Sequence, residues 1–100
     1  MYPIKLVDTF ELLDLCLGDI ASPSVLKLAI DLEGVDLSRV GTISLLQIFS
    51  DLSNSVWVID IFTLGSAAFN HIDPHGQSLK AVLENRATVK VWENSRCDVF

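Results

Sequence analysis

Lys27-Leu28-Ala29-Ile30-Asp31-Leu32-Glu33-Gly34 is an apolar run that ends in two carboxylates placed two positions apart. The run reads as a buried strand. Side chains alternate across a strand, so Leu28, Ile30 and Leu32 share one face, while Ala29, Asp31 and Glu33 share the other. At ~3.3 Å per residue the two carboxylates stand about 7 Å apart along that face. Such a pair can grip divalent cations. A strand whose end simply meets water has the same pattern, and spacing alone does not separate the two readings.

Toward the C-terminus, Val35 to Gly41 is a polar connection, and Thr42 to Ser50 is a second strand, apolar on both faces except at Gln47. Asp51 to Ser55 is rich in turn formers, and Val56 to Ile61 is a third strand. Links this short favour antiparallel neighbours. A sheet that is apolar on both faces has to be covered on both. Thr63 to Phe69 has room for a short helix, and Asn70 to Gln77 is a loop. Ser78 can cap a helix through Asn85, with Leu79, Val82 and Leu83 on one face. Thr88 to Trp92 is a fourth strand; reached through a helix, it can lie parallel to the first.

Toward the N-terminus, Ala21 to Ser24 is a loop around Pro23. Asp8 and Glu11 have capping-box spacing ahead of Phe10, Leu12, Leu13, Leu15, Cys16 and Leu17, which predicts a helix ending at Gly18. Ile4 to Val7 is an apolar opening suited to an edge strand.

Composition bounds the function. One hundred residues, half of them hydrophobic, make one small domain or part of a larger one, with ample core material. A net charge of −6 counts against a conventional nucleic-acid binder. Asp8, Glu11 and Asp14 interrupt what would be the core of a signal peptide, and no run approaches the ~18 apolar residues of a membrane span. Cys16 and Cys97 lack paired or metal-type spacing and predict reduced thiols in an intracellular, cytoplasmic or nuclear protein without membrane association.

The run Ala29-Ile30-Asp31-Leu32-Glu33-Gly34, followed by Arg39, Gly41 and Ser44-Leu45-Leu46-Gln47, resembles the first exonuclease motif of ribonuclease D-like proteins. These are 3′–5′ exonucleases of the DEDD superfamily with a ribonuclease H-like fold. Val58-Ile59-Asp60, Leu79 to Leu83 and Val89 to Trp92 are similar to the family's next elements, in order. Asn94-Ser95-Arg96-Cys97-Asp98 resembles its second motif. The flavour is closest to the eukaryotic branch related to Egalitarian.

The resemblance implies an α/β, ribonuclease H-like fold: a mixed sheet of three antiparallel strands plus a parallel strand reached through a helix. It implies two divalent cations, Mg2+ or Mn2+, with Asp31 bridging both, Glu33 holding one and Asp98 helping to hold the other. Carboxylate oxygens suit these hard ions, whereas zinc prefers histidine and thiolate. The implied partner is the 3′ end of RNA or DNA. The family's third motif, a tyrosine or histidine four positions before an aspartate, is not found after Asp98, and Glu93 stands where relatives often carry histidine. Residues 1–100 are therefore expected to be the N-terminal portion of a single exonuclease domain, with its C-terminal part missing. An exposed sheet face would then call for a protein partner or a homodimer. The alternative is a catalytically inactive exonuclease-fold module that binds RNA or protein as a scaffold.

Other candidates have plainer readings. His71, Asp73 and His75 sit in a loop with no fourth ligand in view. Asp60, two strands from Asp31, is too distant to share its metals and suits a strand-end anchor. Gln47 reads as a satisfied amide or as an orienter of a carboxylate. Arg39 and Arg96 read as surface arginines near the acidic motifs, and Phe49, Trp57 and Trp92 as core.

Overall fold

The computed structural model describes residues 2–35, 42–53 and 55–92. It opens with strand β1 (Ile4–Val7) and helix α1 (Phe10–Ile20). The cap of α1 is Thr9, not Asp8: its hydroxyl accepts from the Leu12 N–H at 3.1 Å. A side-chain oxygen at that position satisfies an otherwise orphaned N–H of the first turn. The helix also runs past Gly18 to Ile20. Leu13, Cys16, Leu17 and Ile20 are buried at helical spacing, and Asp19 is anchored by Trp57 Nε1 at 2.7 Å and Ser53 Oγ at 3.1 Å. These tertiary ties carry the last turn through a glycine that costs only ~1 kcal/mol.

Strands β2 (Lys27–Val35), β3 (Thr42–Ser50) and β4 (Val56–Asp60) follow. The third strand of the antiparallel set stops at Asp60 rather than Ile61, because the Asp60 carboxylate caps helix α2 (Ile61–Leu64). The single short helix expected over Thr63 to Phe69 is two, α2 and α3 (Ala67–Asn70), separated by Gly65 at φ +74°. Helix α4 (Leu79–Glu84) begins at its Ser78 cap as expected and leads to β5 (Val89–Trp92).

The five strands form one mixed sheet of order β1-β4-β3-β2-β5. β2, β3 and β4 are antiparallel neighbours, β1 pairs parallel with β4, and β5 pairs parallel with β2. The expected α/β, ribonuclease H-like arrangement is therefore present, with the apolar opening as a fifth, edge strand. β3 alone runs against the rest, so the carboxyl ends of β2, β4 and β5 share one edge of the sheet.

The two faces differ. Leu28, Ile30 and Leu32 of β2, Leu46 and Ile48 of β3, and Trp57 and Ile59 of β4 are buried in one core with α1, Ala68 of α3, and Leu79 and Val82 of α4. On the opposite face Ala29, Gln47, Phe49, Val56 and Val58 are only half-buried, and Ile4 is 72% exposed. Trp92, expected in the core, is 43% exposed because β5 is an edge strand.

Candidate active site

Asp31 and Glu33 project from the open face of β2, as alternation requires. Asp31 is half-buried and Glu33 exposed. A bulge between Glu33 and Gly34 shifts the register just beyond them. Such bulges bend a strand and re-aim its side chains. Across the ladder Asp31 stands opposite Gln47, and Glu33 opposite Leu45.

Asp60 lies in the same row as Glu33 and Leu45, but two strands away from β2, about 9.6 Å at ~4.8 Å per strand. Its carboxylate is occupied: it accepts from Thr63 Oγ1 at 2.7 Å and from Thr63 N–H at 3.0 Å. Both bonds favour the ionised form and hold its pKa below the ordinary 3.8, slightly opposed by desolvation. Asp60 caps α2 at the end of β4, which fits its reading as a strand-end anchor.

A shallow depression of about 230 Å³ adjoins Asp31, lined by Ala29, Asp31, Gln47, Ile48, Phe49 and Val56. Phe49 is backed by the Tyr2 ring at 4.8 Å. A larger cavity of about 410 Å³ lies between the α1–β2 connection and α4, near the other end of β2. Val25, Gln77, Ser78, Ala81 and Thr88 are among its walls, and no charged side chain lines it. A third cavity, of about 450 Å³, is lined by Lys5, Asp19, Ser53 and Trp57, and Asp19 is already bonded there to Ser53 and Trp57. The smaller depression is the one that contains Asp31.

Topology brings the end of β5 beside the first acidic motif. Trp92, the last residue of β5, pairs with Ile30, the residue before Asp31. Asp98 follows in the sequence but lies outside the described residues, as do Arg39, Glu93, Arg96 and Cys97. Among the described residues, no group of three or more His, Cys, Asp and Glu side chains could hold a metal. What the described part supplies is two carboxylates on one face, an all-oxygen donor set that fits Mg2+ or Mn2+ and not zinc.

The loop candidates have structural roles. His71 Nε2 lies 2.7 Å from Asp14 Oδ1, pinning the end of α3 to α1. Asp73 is buried, and its Oδ1 accepts from the His75 and Gln77 N–H groups. It organises the turn, so the loop is more ordered than a solvated reading implied. Cys16 is a free buried thiol whose pKa is pushed up, first by desolvation and then by Asp19, which makes it inert. The Asp14–His71 and Asp19–Trp57 pairings join residues 57 and 38 positions apart, and no local pattern signals either. Gln47 is a half-buried residue of the open face rather than an amide with its bonds met: it has no side-chain partner among the described residues.

No family model and no curated protein matches the chain. Solved structures do. The crystal structure of Trypanosoma brucei RNase D in complex with RNA U12 is 28% identical, with a TM-score of 0.77, covering 97% of this chain and 32% of that one. The T. brucei RNase D–GMP complex gives a TM-score of 0.78 at 28% identity, covering 97% of this chain and 28% of that one. The catalytic core of T. brucei RRP6 shares the fold at 24% identity and a TM-score of 0.65, covering 94% of this chain and 23% of that one. The chain thus spans about a third or less of the length of the structures it matches. Its structural neighbours are DEDD 3′–5′ exonucleases, and its sheet is that of the RNase D exonuclease fold.

Proposed function

We propose that this chain, whose fold is that of RNase D, is the N-terminal portion of a metal-dependent 3′–5′ exonuclease domain acting on nucleic-acid 3′ ends. One observation carries the reading. In a sheet that matches RNase D, Asp31 and Glu33 share the open face of β2 at the carboxyl edge, where α/β sheets take their ligands. Asp31 and Glu33, joined by Asp98, would hold two divalent ions, Mg2+ or Mn2+. Bound there, the ions supply charge neutralisation to the attacking and leaving oxygens of the phosphodiester.

The chain's own residues supply the rest. Half-buried Asp31 stands on a strand held by the ladder with β3, which fixes its backbone position in the site. Exposed Glu33, at the rim, keeps the freedom to follow a substrate. A site that grips the terminal phosphodiester rather than base edges confers no sequence preference. One RNase D neighbour was solved with RNA, which supports nucleic acid as the partner. No described helix is long and apolar enough to cross a membrane, and the compartment we assign is intracellular.

Titration of the chain with Mn2+ by calorimetry tests the reading. Binding should vanish in Asp31→Asn while the circular-dichroism spectrum stays native. Undiminished binding in that variant would sink the assignment. The second reading, a non-catalytic scaffold for RNA or protein, is favoured by the exposed apolar residues Ile4, Leu6 and Val89. It requires that the native chain bind no Mn2+ at all.

A further inference from the structure

We propose that Gln47 is a positioning residue for Asp31: when a divalent cation binds, its side-chain amide bonds to the Asp31 carboxylate and orients it, a bond that is not made in this structure. The inference rests on Asp31 being a metal ligand, and it adds a residue that the acidic motifs do not contain.

The register carries it. Gln47 is the cross-strand partner of Asp31 in the antiparallel β2–β3 ladder, and both side chains line the same depression. Directly opposed Cβ atoms in such a ladder stand ~4.5–5.5 Å apart, within reach of a long side chain. Among the described residues the other nearest strand neighbours of Gln47 on that face are apolar. Val58 faces it from β4, and Leu45 and Phe49 flank it along β3. Glu33 and Asp60 are the polar residues next in line, but they sit on the diagonals, ~7–8 Å away. Asp31 is therefore the one polar side chain directly opposite the amide.

Both groups are uncommitted. Among the described residues neither the Gln47 amide nor the Asp31 carboxylate has a hydrogen-bond or ion-pair partner. A half-buried amide in an apolar row costs free energy unless something accepts from it. The carboxylate opposite is the acceptor at hand. An amide N–H bonded to one carboxylate oxygen leaves the remaining lone pairs to the cation. The residue type matters as well: lysine or arginine here would cancel the negative charge that attracts the metal. Glutamine orients the carboxylate without neutralising it. Partners of this kind typically change metal affinity by roughly 10- to 100-fold.

The test compares the 100-residue chain with its Gln47→Met, Gln47→Lys and Asp31→Asn variants in Mn2+ calorimetry, with a thermal melt on each. Methionine keeps the length and loses the donors, so Gln47→Met should bind Mn2+ roughly 10- to 100-fold more weakly with an unchanged melt. Gln47→Lys should bind more weakly still. Mg2+ should also shift the Gln47 side-chain NH2 resonances in the native chain and leave them unmoved in Asp31→Asn. If Gln47→Met binds like the native chain while Asp31→Asn does not bind, the positioning role is wrong and the metal reading stands. If Asp31→Asn binds normally, or the native chain binds no Mn2+, both fall. A lowered melt that accounts for the lost affinity of Gln47→Met, with no Mg2+-dependent NH2 shift, would assign Gln47 to packing alone.

Discussion

The two faces of this sheet are built from similar residues and have different fates. On the covered face Leu28, Ile30, Leu46, Ile48 and Ile59 are fully buried beneath the helices. On the open face Ala29, Phe49, Val56 and Val58 have the same apolar character, yet they remain half-buried around Asp31 and Gln47. Burial energy therefore resides mainly on one side of the sheet, and the proposed site lies on the other. The proposed metal site needs a carboxylate that no helix seals, and the open face offers Asp31 in that setting.

The sharpest way to break this contrast is to truncate matched residues on the two faces. Leu46→Ala, in the covered core, should cost about 2–5 kcal/mol in urea unfolding, while Val58→Ala should cost well under half of that. Equal losses would mean that the open face is sealed in solution by a partner or a second copy of the chain. The second test addresses that surface directly. With Ile4 at 72% exposure and Leu6 at 53%, the native chain should self-associate as its concentration is raised. The Ile4→Lys/Leu6→Lys double variant should sediment as a monomer. A native chain that is monomeric with a sharp, reversible melt would contradict this.

A smaller effect is expected on the covered side. Ser50 Oγ is fully buried with no hydrogen-bond partner among the described residues. Removing an unsatisfied hydroxyl removes its desolvation cost, so Ser50→Ala should be neutral or stabilising by up to ~1 kcal/mol. The smallest effect is electrostatic and belongs to the open edge. The pKa of Asp60 is lowered in the folded chain by its bonds to Thr63. Its contribution is thus present above the unfolded value of 3.8 and is lost as pH falls through the lower folded value. Native α2 should fray in that acid window, and Asp60→Asn should flatten this part of the pH profile, as read by Thr63 amide exchange.

Much of the molecule is legible in local pattern. The bounds of β3, the Ser78 cap of α4 and the shared face of Asp31 and Glu33 need only residue type and the two-residue period of a strand. Where local reading went astray, distant contacts had decided. Gly18 looked like a helix end, but Asp19 and Ile20 beyond it are anchored to Trp57, Ser53 and the core. Asp8 had the capping-box spacing, and Thr9 took the cap. Trp92 looked like core, but its strand fell at the sheet edge.

By itself the sequence determined that two carboxylates would share one strand face, because alternation is a property of the backbone alone. Tertiary structure decided which face the helices cover, and that Gln47 rather than Leu45 stands opposite Asp31. Cross-strand register is set by pairing between residues far apart in the chain, and a shift of one position would have sent Gln47 to the other face.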